Sequence, residues 1–148
     1  MLIYTSNAAG TALDEIRRLG MGVMMVTNGT GKHLPSPTYK GLPLALDNGA
    51  YQCHVRGFPF QGDAFRRAIA EAFKSSLTLN FIVAPDIVGG GMDSLRLSLQ
   101  WAGGELCGGR LALAVQDGMR PCDISADVTG RFCTIFVGGS MSWKLTTG

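Results

Sequence analysis

In Leu111-Ala112-Leu113-Ala114-Val115-Gln116-Asp117-Gly118, five apolar residues run without a polar break into an amide, a carboxylate and a glycine. A strand with one solvated face alternates polar and apolar positions. An unbroken apolar run of this length marks a strand covered on both faces, as in a parallel sheet. The polar cluster then falls at the carboxyl end of the strand.

The same arrangement recurs outward in both directions. Short apolar runs at residues 2–4, 23–26, 44–46, 81–84 and 134–137 predict five more strands. They end in Thr5-Ser6-Asn7, Thr27-Asn28-Gly29, Asp47-Asn48-Gly49, Pro85-Asp86 and Gly138-Gly139-Ser140. Helical stretches fall between the runs. Thr11 caps one, with Asp14 in the capping-box position and Leu13, Ile16 and Leu19 following before Gly20. Asp63 caps a second, whose stripe is Phe65, Ala68, Ile69, Ala72 and Phe73. Asp93 caps a third, with Leu95, Leu99, Ala102 and Leu106 on one face, and a short fourth covers residues 123–127. Residues 27–41, rich in Gly, Pro, Thr and Lys, read as a loop.

Strands alternating with helices imply an α/β fold with parallel strands and right-handed crossovers. An open doubly wound sheet would gather its polar groups at one switch point. Polar clusters at nearly every strand end favour a barrel, where those ends ring one mouth. The expectation is an incomplete (β/α) barrel of the TIM type, with about six parallel strands, as a single partial-barrel domain over residues 1–148.

Hydrophobic residues make up 46% and charged residues 16%, which excludes a disordered or fibrous chain. No apolar run approaches the length of a membrane span, and Met1–Thr5 lacks the basic start of a signal peptide. A cytoplasmic location and no membrane partner are therefore expected. The net charge of +2 is too small to argue for nucleic acid. Arg17, Arg18, Lys32, Lys40, Arg56, Arg66, Arg67 and Lys74 crowd the first half, which allows a basic face, although solvated helix surfaces are the simpler reading. Cys53, Cys107, Cys122 and Cys133 form no C-x-x-C pair, and His33 and His54 are isolated, so no metal and no cofactor is expected.

A guanine edge presents two donors, N1–H and the exocyclic amine, and one acceptor, O6. A carboxylate takes both donors; an amide, or a backbone N–H free of side-chain crowding, serves O6. Asp47, Asp86, Gln116 and Gly138-Gly139 supply these types at successive strand ends, and Tyr51 offers a ring for stacking. Each element also has a plainer reading. Asp86 suits an N-cap or turn, Gln116-Asp117-Gly118 suits a turn, and Gly138-Gly139-Ser140 equally suits a phosphate.

Taken in order, these segments resemble the tRNA-guanine transglycosylase superfamily. Asp47-Asn48-Gly49-Ala50-Tyr51 resembles its D-S-G-G-F-Q segment, and Ala84-Pro85-Asp86 the strand end bearing its second base-recognition aspartate. Val115-Gln116-Asp117-Gly118 resembles V-Q-G-G, and Phe136-Val137-Gly138-Gly139-Ser140 resembles G-G-L. The stretches LDNGAY, PDIVGG, LALAVQDGM and FVGGSMSWK are similar to the phage and bacterial branch that inserts 7-deazaguanine bases into DNA. The resemblance implies base exchange on DNA or tRNA, in a bacterium or a phage-infected cell. It implies that Asp47, with Asn48 beside it, contacts the base and serves as acid/base group. Asp86 would accept from N1–H and the amine, Gln116 would donate to O6, and Gly138 or Gly139 would add a backbone donor.

The resemblance breaks at two points. The family's nucleophilic aspartate lies beyond the glycine pair, near a later strand, and nothing here matches it or the zinc motif of the tRNA enzymes. Asp117 reads as a turn residue first and as a stand-in nucleophile second. Six strands also leave barrel edges open, so the sequence is a truncated form of a longer barrel, or a homo-oligomer or a second chain completes the barrel, or the strands close in reduced form. A relative that keeps the base pocket without the chemistry, and a phosphate-binding barrel enzyme, remain the alternatives.

Overall fold

The computed structural model describes residues 2–6, 8–27, 37–75, 77–104 and 109–146. Within them six strands form one sheet in chain order: β1 (Tyr4–Ser6), β2 (Gly22–Val26), β3 (Leu44–Asp47), β4 (Leu79–Val83), β5 (Leu111–Val115) and β6 (Thr134–Val137). All five pairings are parallel. The helices are α1 (Thr11–Arg18), α2 (Ala50–Val55), α3 (Gly62–Lys74), α4 (Gly91–Ala102), α5 (Ala126–Thr129) and α6 (Met141–Thr146). This is the α/β architecture of an incomplete barrel, a sheet curled into a half-barrel.

The curl is visible in one contact. In a flat sheet, β1 and β4 would stand three strand spacings apart, about 14 Å. Instead the Tyr4 and Phe81 rings meet edge to face with centroids 5.3 Å apart, and Asn80 Nδ2 donates to the Tyr4 hydroxyl at 2.7 Å. The outer face of the sheet packs against helices. Leu13 and Ile16 of α1 and Phe65, Ile69 and Ala72 of α3 join Val23, Leu44, Leu46 and Ile82 in one buried cluster. That is the amphipathic stripe expected of α3, except that Phe73 is 42% exposed. Leu95 of α4 packs with Leu113 and Met119 in a second cluster.

Several boundaries move. The first strand starts at Tyr4, leaving Leu2 and Ile3 exposed, because the Tyr4 ring is the group that turns into the barrel. The expected caps Thr11, Asp63 and Asp93 lie inside the first turns of their helices, after Gly10, Gln61 and Gly90. The carboxylates there still suit the helix dipole. The helix expected at 123–127 divides into a 3-10 turn, Pro121–Asp123, and α5, which is capped by Ser125 Oγ accepting from Val128 N at 3.4 Å. Helix α2 carries no strong periodic pattern and was not expected. Most of the 27–41 loop lies outside the described residues, as do Leu106, Cys107, Lys32 and His33; a 3-10 turn at Pro37–Tyr39 precedes β3. Coverage on both faces holds for β5 but not for β6, where Ile135 and Val137 are about half exposed (45% and 54%).

Candidate functional site

The carboxyl ends of β3, β4, β5 and β6 surround a cavity of about 610 Å³, within the range of small-molecule sites. Asp47, Asn48, Tyr51, Asp86, Gln116, Gly138 and Gly139 all line it, together with Val83, Val88, Gly89, Ala114, Asp117, Phe136 and Ser140. The candidate residues from four strand ends therefore converge on one opening.

Asp86 is held on both sides. Asn48 Nδ2 donates to Asp86 Oδ1 at 2.8 Å, and Gln116 Nε2 donates to Asp86 Oδ2 at 3.1 Å. Both amides are buried, and both have their orientation set by other bonds. Asn48 also donates to the Ala84 carbonyl at 2.7 Å, while its Oδ1 accepts from Ala50 N at 2.6 Å. Gln116 also donates to Ser94 Oγ at 2.7 Å, while its Oε1 accepts from Gly89 N at 2.9 Å. Each carboxylate oxygen of Asp86 keeps accepting capacity for a further donor.

A supporting layer fixes this arrangement. Ser94 and Ser98, one turn apart on α4 and both fully buried, pin the segment that carries Asp86. Ser94 Oγ accepts from Ile87 N at 3.1 Å, and Ser98 Oγ donates to the Pro85 carbonyl at 2.9 Å. Thr27 Oγ1 reaches the Asn48 carbonyl at 2.7 Å. Gly49 has φ +77, and a Cβ there would lie 1.9 Å from the Thr27 carbonyl oxygen, so only glycine allows β3 to turn into α2 at this point. Tyr51, on the first turn of α2, is 63% exposed and stands at the cavity wall with its ring free to cover a ligand. The sequence reading missed Ser94 and Ser98; two serines four apart on an otherwise apolar helix face were the available signal.

Asp47 Oδ1 accepts from Gly49 N at 3.3 Å, and the Asn48 backbone N–H also bonds its carboxylate. Burial raises its pKa above the usual aspartate range, and the nearby Asp86 charge raises it further. Burial also raises the pKa of Asp86, against the opposing bonds from Asn48 and Gln116. Asp117 differs. Ser140 Oγ donates to its Oδ1 at 2.5 Å and Ser140 N to its Oδ2 at 2.6 Å, and these bonds hold its pKa below the usual range. The residue is partly covered, while its carboxylate stands at the open rim. Gly139 makes room for it: φ is +75, and a Cβ would lie 2.7 Å from Asp117 Oδ2.

The donor inventory differs from the sequence expectation. Both amide hydrogens of Gln116 are directed at Asp86 and Ser94, so in this arrangement Gln116 orients Asp86 and leaves no hydrogen for O6. Gly138 N is bonded to the Val115 carbonyl at 2.9 Å. Gly139 N–H makes no hydrogen bond among the described residues, so it keeps a backbone donor among the residues lining the cavity.

Elsewhere, Arg17 and Arg18 pair with Asp14 and Glu15 on α1, and Arg66 lies 4.2 Å from the Trp101 ring, so part of the basic first half is engaged locally. Among the described residues, no three His, Cys, Asp or Glu side chains gather as a metal site would require. No helix of the described residues is long and apolar enough to cross a membrane. Compared with known proteins, the chain matches no family model, no curated protein and no solved structure. The likeness to tRNA-guanine transglycosylases thus rests on the quoted segments alone.

Proposed function

We propose that this chain binds a guanine or 7-deazaguanine base in the cavity at its strand ends and exchanges such a base on DNA or tRNA. The observation that carries the reading is Asp86, a carboxylate fixed between Asn48 and Gln116 with accepting capacity left on both oxygens. That is a receptor for two adjacent N–H donors, as N1–H and the exocyclic amine present them. Gly139 N–H is a donor for O6, Tyr51 and Phe136 offer faces for stacking, and Asp47 is a carboxyl group with a raised pKa, suited to moving a ring proton. A base in such a pocket must first leave its stack in the polymer.

A phosphate ligand fits less well. The described cavity wall carries three carboxylates and no cationic side chain. At the Gly138-Gly139-Ser140 turn, Asp117 already takes the Ser140 N–H that a phosphate would use. β1 and β6 are the edges of the described sheet, and further strands, from this protein, a second copy or another chain, would close the barrel.

The test is incubation of the protein with radiolabelled guanine and either guanine-containing DNA or tRNA, alongside calorimetric titration with 7-deazaguanine. Label transfer to one polymer is the expected result. Binding without transfer would leave a base-binding protein, and absence of both would end the proposal.

A further inference from the structure

We infer that Ser94, buried on α4, is a positioning residue that sets the cavity's preference for a base edge with two adjacent N–H donors over an edge with one, acting through Gln116 on Asp86. The inference rests on the base-binding reading above. A carboxylate meets two donors at once only when its plane lies along the ligand edge, whereas a single donor is met by one oxygen over a broad range of angles. The ratio of two-donor to one-donor affinity therefore reads how firmly the Asp86 plane is held.

Two side-chain amides hold that plane, and each is itself anchored twice. An amide is planar, so once its oxygen and one hydrogen are fixed, the direction of the other hydrogen follows. Asn48 is anchored on backbone, by Ala50 N at its Oδ1 and by the Ala84 carbonyl at its Nδ2, and its remaining hydrogen goes to Asp86 Oδ1. Gln116 is anchored by Gly89 N at its Oε1 and by Ser94 Oγ at its Nε2, the latter at 2.7 Å, and its remaining hydrogen goes to Asp86 Oδ2 at 3.1 Å. On this side one anchor is a side chain. Ser94 is fully buried, and removing its hydroxyl changes no group that lines the cavity.

Ser94 Oγ also accepts from Ile87 N, which holds the main chain just after Asp86. Ser98, one turn further along α4 and equally buried, holds the main chain just before Asp86 through the Pro85 carbonyl, and bonds neither amide. Fixing the loop backbone is the plainer role for both serines. Only Ser94 adds a bond to the amide that orients Asp86, so Ser98 is the matched control.

The experiment is calorimetric titration of the full chain with 7-deazaguanine and with 7-deazahypoxanthine, which share the ring N–H and the carbonyl oxygen and differ in the exocyclic amine. Wild type is expected to favour the first by at least about tenfold. Ser94→Ala is expected to lower that ratio by at least about threefold. Ser98→Ala, and Ser94→Ala placed in a Gln116→Ala background, are each expected to move it by less than about threefold from the parent protein. Should Ser94→Ala fail to fold, Ser94→Cys takes its place, because sulfur is a weak acceptor on a side chain of similar shape. A ratio that falls by less than about threefold in the Ser94 variant, or by more than that in either control, would overturn the inference while leaving base binding intact. If wild type binds neither compound, or favours the first by less than about tenfold, Asp86 does not receive two donors; the base-binding reading then falls, and the inference with it.

Discussion

Asn48, at the end of β3, donates its side-chain amide to Asp86, at the end of β4, across 2.8 Å, and the same nitrogen reaches the Ala84 carbonyl at 2.7 Å. One buried amide therefore sets the position of the carboxylate and satisfies the backbone that carries it. The cavity's recognition chemistry and the stability of the sheet mouth share a residue.

Asn48→Ala should accordingly cost stability and binding together. It leaves the Ala84 carbonyl and Ala50 N–H without their partners, at about 1–3 kcal/mol for each group left unsatisfied. Urea unfolding measures the first effect and base titration the second. A variant as stable as wild type would mean that the Asn48 bonds are not formed in solution.

Asp86→Ala removes the acceptor of a two-pronged, charge-assisted contact. The expected loss of 7-deazaguanine affinity is about 2–4 kcal/mol, and the variant also leaves one amide hydrogen of each of the buried Asn48 and Gln116 without its partner. Calorimetry on the folded variant checks this, and unchanged affinity would remove Asp86 from the binding site.

The two carboxyls with raised pKa give stability a definite pH dependence. Burial lifts Asp47 and Asp86 above the ordinary value of 3.8. Between that value and the raised native values, the folded protein holds protons that the unfolded chain has released. Their contribution is thus fully present below 3.8 and is lost as pH rises through the native pKa values. Asp117 has the opposite sign, but its carboxylate lies in solvent, where such effects are screened. Asp47→Asn should be more stable than wild type at pH 7, and by a smaller margin or none at pH 4. Denaturant midpoints at the two pH values decide it; a margin independent of pH would contradict the assigned shift.

Two glycines should be sharply intolerant of alanine, to different degrees. At Gly139 the left-handed backbone costs about 1–2 kcal/mol, and the new methyl would press on the Asp117 side chain, which can move. At Gly49 the methyl would meet the Thr27 backbone at 1.9 Å, which cannot move without opening β2 from β3. Gly49→Ala should therefore be the more destabilising by a clear margin in urea unfolding. Equal effects would show that the β2–β3 mouth is more pliant than this contact implies.

Much of the architecture was legible in one dimension. The runs at 111–115 and 134–137 coincide with β5 and β6, and α3 carries the stripe read from its periodicity, because strand and helix periods are local properties of the chain. Helix α2 was not legible, since six residues give too short a pattern and its start depends on Gly49 meeting Thr27. The burial of Ser94 was only faintly legible, in its spacing from Ser98, because a serine on a helix reads as solvated until its face is known.

At the mouth, sequence determined the chemical types: aspartates, amides and glycines placed at successive strand ends by an alternating pattern that nearest neighbours encode. Only the tertiary structure decided how they are used. It turned Gln116 into an orienting group for Asp86, 30 residues away, and set Ser140 on Asp117 across 23. The physical reason is the curl of the sheet. Hydrogen bonds form where strands bend toward a common axis, and that bend comes from packing across the whole half-barrel, as in the meeting of Tyr4 and Phe81, which no single segment contains.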